Sequence, residues 1–181
     1  MLYNLNIFKS INTKNLTVLD MSLCNFLSDF DSIDYIVKHE NLRELNLCHI
    51  DVLSKSKDLT SYLVNNLPMY LEKLCLICID CLSDSHVKAL TNRCKNLVEL
   101  DLFGCFDITK TSIIDIIRQS PELVKLDISL TKTGKDSAIL RGQLWNTIHC
   151  KCSELIYRQT KAFICCFNIK KTILRFFWKI L

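Results

Sequence analysis

Five times along this chain, apolar side chains recur at intervals of three, two and three residues. The clearest copy is NLVELDLFGC, residues 96–105, with Leu97, Leu100, Leu102 and Cys105 on the recurring positions. Before it come NLTVLDMSLC with Leu16, Leu19, Met21 and Cys24, NLRELNLCHI with Leu42, Leu45, Leu47 and Ile50, and YLEKLCLICI with Leu71, Leu74, Leu76 and Ile79. After it, ELVKLDISLT closes the series with Leu123, Leu126, Ile128 and Thr131. The first leucines of successive copies stand 26, 29, 26 and 26 residues apart. A near-constant period of this length is the mark of a chain built from stacked units, each one supersecondary element.

Inside a copy, the alternation of Leu100 and Leu102 around Asp101 has the period of a short strand with one buried face. Beyond Cys105 the period becomes helical: TKTSIIDIIRQS carries Ile113, Ile116 and Ile117, with Thr109 or Thr111 placed as the cap. The same change follows the other copies, with Ile33, Ile36 and Val37 in DSIDYIVKHE, Leu59, Leu63 and Leu67 in DLTSYLVNNL, and Val87, Leu90 and Cys94 in DSHVKALTNRC. Each unit therefore reads strand, turn, helix. A fully buried leucine contributes about 1.5–3 kcal/mol, while fixing one residue's backbone costs about 1–2 kcal/mol. A lone unit of 26 residues cannot meet that cost. Stacking overcomes it, because each neighbour buries both flanks of the next. The expected architecture is α/β: a curved arc of about five units, with parallel strands on the concave face and helices outside.

The stretch RCKNLVELDLFGCFDIT, with Cys94, Leu97, Leu100, Leu102, Cys105 and Ile108, resembles the cysteine-containing class of leucine-rich repeat. The likeness covers residues 13–131. Such repeats are typical of F-box proteins similar to the S-phase-kinase-associated member, and of F-box-less relatives that antagonise mitotic exit. What the resemblance implies is a solenoid that recognises other proteins. In F-box proteins a helical segment that docks the ligase adaptor precedes the repeats. About 15 residues precede the first copy here, so the chain resembles the substrate-reading half and the F-box itself is not read within it.

With the leucines turned inward, the third, fifth and seventh positions of each copy face the concave surface. The third positions are Val18, Glu44, Lys73, Glu99 and Lys125; the fifth are Asp20, Asn46, Cys75, Asp101 and Asp127; the seventh are Ser22, Cys48, Ile77, Phe103 and Ser129. Cys75, Ile77 and Phe103, rimmed by Glu44, Lys73, Glu99, Asp101 and Lys125, have the apolar centre and polar border of a protein contact site. With Asn46 and Asp127 they form the candidate partner-binding set. Two readings stay open for its members. Aspartate at the fifth position is common in this repeat class whatever is bound, so Asp20, Asp101 and Asp127 are either contact residues or scaffold. Phe103 is either an anchor for a partner or a residue packing beneath the C-terminal segment. As an anchor, its replacement by alanine is expected to weaken binding by about 2 kcal/mol or more.

Composition narrows the classes further. At 49% apolar residues the chain has ample material for a core, and three glycines and two prolines leave no linker to divide it. The net charge of +4 is uneven: from Leu155 onward there are six basic and no acidic residues, against 17 basic and 19 acidic before it. The repeat region is thus slightly acidic, which argues against a nucleic-acid partner. No basic stretch followed by an unbroken apolar run opens the chain, and nowhere do 18 apolar residues run together. The eleven cysteines read as thiols of a reducing compartment, giving an intracellular location, cytoplasmic or nuclear.

CLICIDC sets Cys75, Cys78 and Cys81 at two C-x-x-C spacings, with His86 and Cys94 following, which invites a zinc or iron–sulfur reading. A residue three further along a strand points to the opposite face, so Cys75 and Cys78 do not converge there. Cys24, Cys94 and Cys105 read instead as small buried apolar residues. No sequence feature pairs His39, His49, His86 or His149 with a nucleophile. Gly104, Gly134 and Gly142, 30 and 8 residues apart, make no phosphate loop. Neither metal, cofactor nor enzymatic activity is expected.

Residues 1–14 read as a partial N-terminal repeat or cap, 15–131 as the repeats and 132–154 as a C-terminal cap, with Ile139, Leu140, Leu144, Trp145 and Ile148 at helical intervals. Residues 155–181 read as a basic apolar helical tail: Ile169, Ile173, Phe176, Phe177 and Ile180 gather opposite Lys171, Arg175 and Lys179. That tail is open to three readings: a helix packed on the solenoid's end, a segment lying on an anionic membrane, or sequence that was never selected. By resemblance the expected function is substrate recognition for an SCF-type (cullin-RING) ubiquitin ligase, with a protein substrate on the concave face and the ligase adaptor as a partner if an F-box is supplied. The alternative is an F-box-less scaffold with no ubiquitin role. An F-box upstream in the reading frame favours the first, and a genuine start at Met1 the second.

Overall fold

The computed structural model describes residues 15–24 and 27–132, together with two short strands further along, His149–Cys150 and Cys166–Asn168. Five three-residue strands run parallel in chain order: β1 (Val18–Asp20), β2 (Glu44–Asn46), β3 (Lys73–Cys75), β4 (Glu99–Asp101) and β5 (Lys125–Asp127). Their register sets Leu19, Leu45, Leu74, Leu100 and Leu126 side by side. All five leucines are buried, while the residues flanking each on its strand are half-buried or exposed. One face of the sheet is therefore core and the other open, as the alternation predicts.

The ladder continues past the strand ends. Amides of Met21, Leu47, Leu76 and Leu102 donate to the carbonyls of Asn46, Cys75, Asp101 and Asp127 at 2.8–2.9 Å. Two residues on, Leu23, His49, Cys78 and Gly104 donate to Cys48, Ile77, Phe103 and Ser129 at 2.8–3.0 Å. These four residues and Leu130 all hold left-handed backbone, with φ between 54° and 71°. Each stands seven residues after the first leucine of its copy, so the chain turns off the sheet at the same place every time. A non-glycine residue adopts this conformation only where its surroundings over-determine it, and at Leu23, His49 and Cys78 the inter-strand hydrogen bond does so. At Gly104 an added Cβ would lie 2.8 Å from Cys78 Sγ, so a side chain there would have to displace that thiol.

The helices return along the core side. Helix α1 (Phe30–Val37) is capped by Asp29, whose carboxylate accepts from the Ser32 amide at 2.9 Å. The second copy is built differently from the single helix expected. A short helix α2 (Asp51–Lys55) is followed at once by α3 (Lys57–Asn66), the latter capped by Ser56. The extra residues of its 29-residue interval lie in this divided segment. Helix α4 (Asp84–Arg93) and helix α5 (Lys110–Gln119) follow β3 and β4, with Thr109 as the α5 cap. Leu67 and Cys94 sit just past the ends of α3 and α4 and are fully buried, while Val37 and Ile117 are only partly so.

Polar groups tie neighbouring units. The Asp84 carboxylate at the head of α4 accepts from the Thr109 amide and hydroxyl, at 2.8 and 2.6 Å, and from the Ser112 hydroxyl on α5. Burial opposes its ionisation, but these bonds outweigh burial and hold the carboxyl below its ordinary range. His86 is buried with Nδ1 accepting from the Ser83 amide at 3.1 Å and Nε2 against the Ser61 hydroxyl of α3 at 2.8 Å. Burial holds this imidazole below its ordinary pKa.

Past β5 the sheet gains two antiparallel strands, Cys166–Asn168 (β7) beside β5 and His149–Cys150 (β6) beside β7. Cys166–Asn168 is thus extended inside the segment expected to be a helical tail. Its edge pairing explains this, since strand β5 presents a row of backbone groups that an extended segment satisfies. The expected N-terminal cap over residues 1–14 and the remainder of the expected C-terminal cap and tail lie outside the described residues. Among the described residues no helix is long and apolar enough to cross a membrane.

Candidate functional site

Because the leucines of β1–β5 point to the core, their neighbours at the third and fifth positions of each copy must project from the other face. A trough of about 290 Å³ runs across all five strands there. It brings together Glu44, Asn46, Lys73, Cys75, Glu99, Asp101, Lys125 and Asp127 of the candidate set, and adds Val18 and Asp20 of β1. Ile77 and Phe103 are not on its wall. Both lie just beyond the ends of β3 and β4 and are half-buried, so the apolar centre expected between them is not the floor of the trough. The exposed aromatic nearby in sequence is Phe106, in the segment leading to α5.

The third-position column alternates in sign and pairs within itself. Lys73 Nζ lies 2.8 Å from Glu44, and Lys125 Nζ lies 3.2 Å from Glu99. The hydrogen bond from Lys73 to Glu44 raises the lysine's pKa. All four side chains remain substantially exposed, so these pairs order the surface more than they stabilise the fold.

The fifth-position column has a structural task. Oxygen atoms of Asp20, Asn46, Asp101 and Asp127 accept the backbone amide two residues on, from Ser22, Cys48, Phe103 and Ser129, at 2.8, 3.1, 3.0 and 2.8 Å. This is the Asx turn that bends the chain out of the strand. Asn46 also donates to Asp20 at 3.0 Å, linking β2 to β1. Asp20 is exposed, and its hydrogen bonds from Ser22 hold its carboxyl below the ordinary range. Asp101 goes the other way: burial, aided by the charge of Asp127, raises its pKa despite the Phe103 amide. The scaffold role of these carboxylates is thus visible in the geometry, and the same residues line the trough.

Cysteines take separate partners. Cys75, the one fifth-position residue that is neither Asp nor Asn, has its Sγ 2.7 Å from Cys48 Sγ. Cys81 donates to the Ser54 carbonyl at 2.8 Å, and Cys105 to the Leu76 carbonyl at 3.1 Å. Cys78 occupies one of the left-handed turns. Burial pushes the Cys94 and Cys105 thiols up to about 12, so both stay protonated. Among the described residues no group of three or more His, Cys, Asp or Glu is placed to hold a metal ion. What sequence reasoning missed is the Cys48–Cys75 contact, although both residues were already on adjoining columns of the outward face.

The trough offers hydrogen-bonding and ionic groups held on short strands that are hydrogen-bonded to one another. No protein-family profile matches this chain, and no curated protein matches it.

Proposed function

We propose that the chain is a leucine-rich repeat solenoid of about five units that binds a protein partner non-covalently on its open, concave face. The observation that carries this reading is the trough: eight of the ten candidate residues, drawn from four adjacent strands, line one continuous recess. The recurrent turn geometry and the equal register of successive strands support the solenoid. By the resemblance of RCKNLVELDLFGCFDIT, the context of that binding is substrate selection for a cullin-RING ubiquitin ligase; a scaffold without a ubiquitin role is the alternative. In this reading the chain is not an enzyme and needs neither metal nor cofactor.

Co-purification tests both levels. Association of the full-length protein with the ligase adaptor supports the ligase context, and a partner retained without the adaptor supports the scaffold. For the face itself, Lys73→Glu with Lys125→Glu breaks both charge pairs while leaving the leucine core intact. Loss of the partner from this double variant, with an unchanged melting temperature, is the expected result. Undiminished binding would remove the open face from consideration.

A further inference from the structure

We propose that Cys48 and Cys75 are a reversible thiol–disulfide pair, joined across β2 and β3 by exchange with a small disulfide of the oxidised-glutathione class. Their sulfur atoms lie 2.7 Å apart, against a covalent S–S bond of about 2.05 Å. The residues come from different copies, 27 positions apart, so their approach is made by strand register and not by local sequence. A second observation concerns what the third copy gives up. Every other copy places an oxygen at the fifth position to hold its turn, and Cys75 puts a thiol there. That exchange of oxygen for sulfur falls at the interface where the preceding copy supplies Cys48 at its seventh position.

Cys75 is the more accessible of the two and lines the trough, whereas Cys48 is 9% exposed. Cys75 therefore reacts first. Its proton passes to solvent and its sulfur attacks one sulfur of the external disulfide, whose S–S bond breaks to release one reduced thiol. A mixed disulfide remains on Cys75. The Cys48 sulfur, losing its own proton, then attacks the Cys75 sulfur, and the second reduced thiol departs. Two protein thiols are oxidised to one disulfide and the external disulfide is reduced to two thiols. Burial first, then the hydrogen bond with Cys48, holds the Cys75 thiol well above its ordinary pKa, so the exchange is slow at neutral pH. The bond would fasten β2 to β3 on the open face and convert a free thiol of the trough into a fixed link. It stands or falls independently of whether any protein docks there.

The test is a peptide map of the full chain under non-reducing conditions, after incubation with oxidised glutathione and alkylation of remaining thiols. The expected result is a fragment linking Cys48 to Cys75, joint loss of alkylation at both, and its return after reduction. In Cys48→Ser the resolving sulfur is absent, so Cys75 should accumulate the glutathione adduct. Persistent alkylation of Cys48 and Cys75 while other cysteines take up glutathione overturns the proposal. So does a map in which Cys75 pairs with Cys78 or Cys81 instead. Because the wild-type map decides the matter, a poorly folded variant does not protect the idea.

Discussion

At position 101 the fold half-buries a carboxylate to obtain a turn acceptor, and the raised pKa records the cost of burying its charge. A raised carboxyl favours the protonated native state: that contribution is present at low pH and is lost as pH rises from 3.8 through the folded value. Asp101→Asn should therefore raise the melting temperature at about pH 7 and change little at about pH 3, since Asn46 shows that an amide makes the same turn. His86 has the opposite profile. Its folded pKa lies below 6.5, so the native state is fully favoured above that value and loses stability as pH falls from it through the folded value. His86→Gln should flatten the slope of melting temperature against pH just below 6.5. Neither effect could be read in the sequence, where Asp101 is one outward aspartate among three and His86 a helix-flank histidine. Burial of such groups depends on neighbours 24 or more residues away: Ser61 of the preceding copy's helix lies against His86, and the β5 column crowds Asp101.

Elements were more legible than single side chains. Period-two leucines located all five parallel strands, because alternation in so short a segment has only one buried solution. Their worth is testable: Leu74→Ala, at the centre of the sheet and nearly fully buried, should cost about 2–5 kcal/mol in chemical denaturation. Helices were visible from their isoleucines and leucines, but the break between α2 and α3 was not, although Ser56, a residue type favoured at a helix start, caps α3 there. The coupling of α4 to α5 through Asp84 has no local signature, because nothing nearby in the chain distinguishes a partner of the next helix from a charge in the first turn. Asp84→Ala removes hydrogen bonds to Thr109 and Ser112 and should cost about 1–3 kcal/mol. Because its folded pKa is lowered, the stabilisation is present above 3.8 and disappears as pH falls through the folded value, so the variant should lose this part of the wild-type sensitivity to acid.

For the whole molecule, the columns of the outward face were legible in advance because register turns sequence order into spatial order. The depth of each column was not. Ile77 and Phe103 lie off the trough because the chain has already begun to turn off the sheet there, a matter of backbone direction that alternation alone does not convey. Spatial order has a further consequence for the alternating third column, Glu44, Lys73, Glu99 and Lys125. Excising residues 71–96 would set Glu44 against Glu99, acid facing acid, whereas excising 71–122 would set Glu44 against Lys125. The shorter deletion should gain melting temperature on addition of salt and the longer should not. Between Glu44 and Lys125 the strands are thus alike in shape but not in parity: removing one inner strand sets like charges side by side, whereas removing both restores an acid against a base.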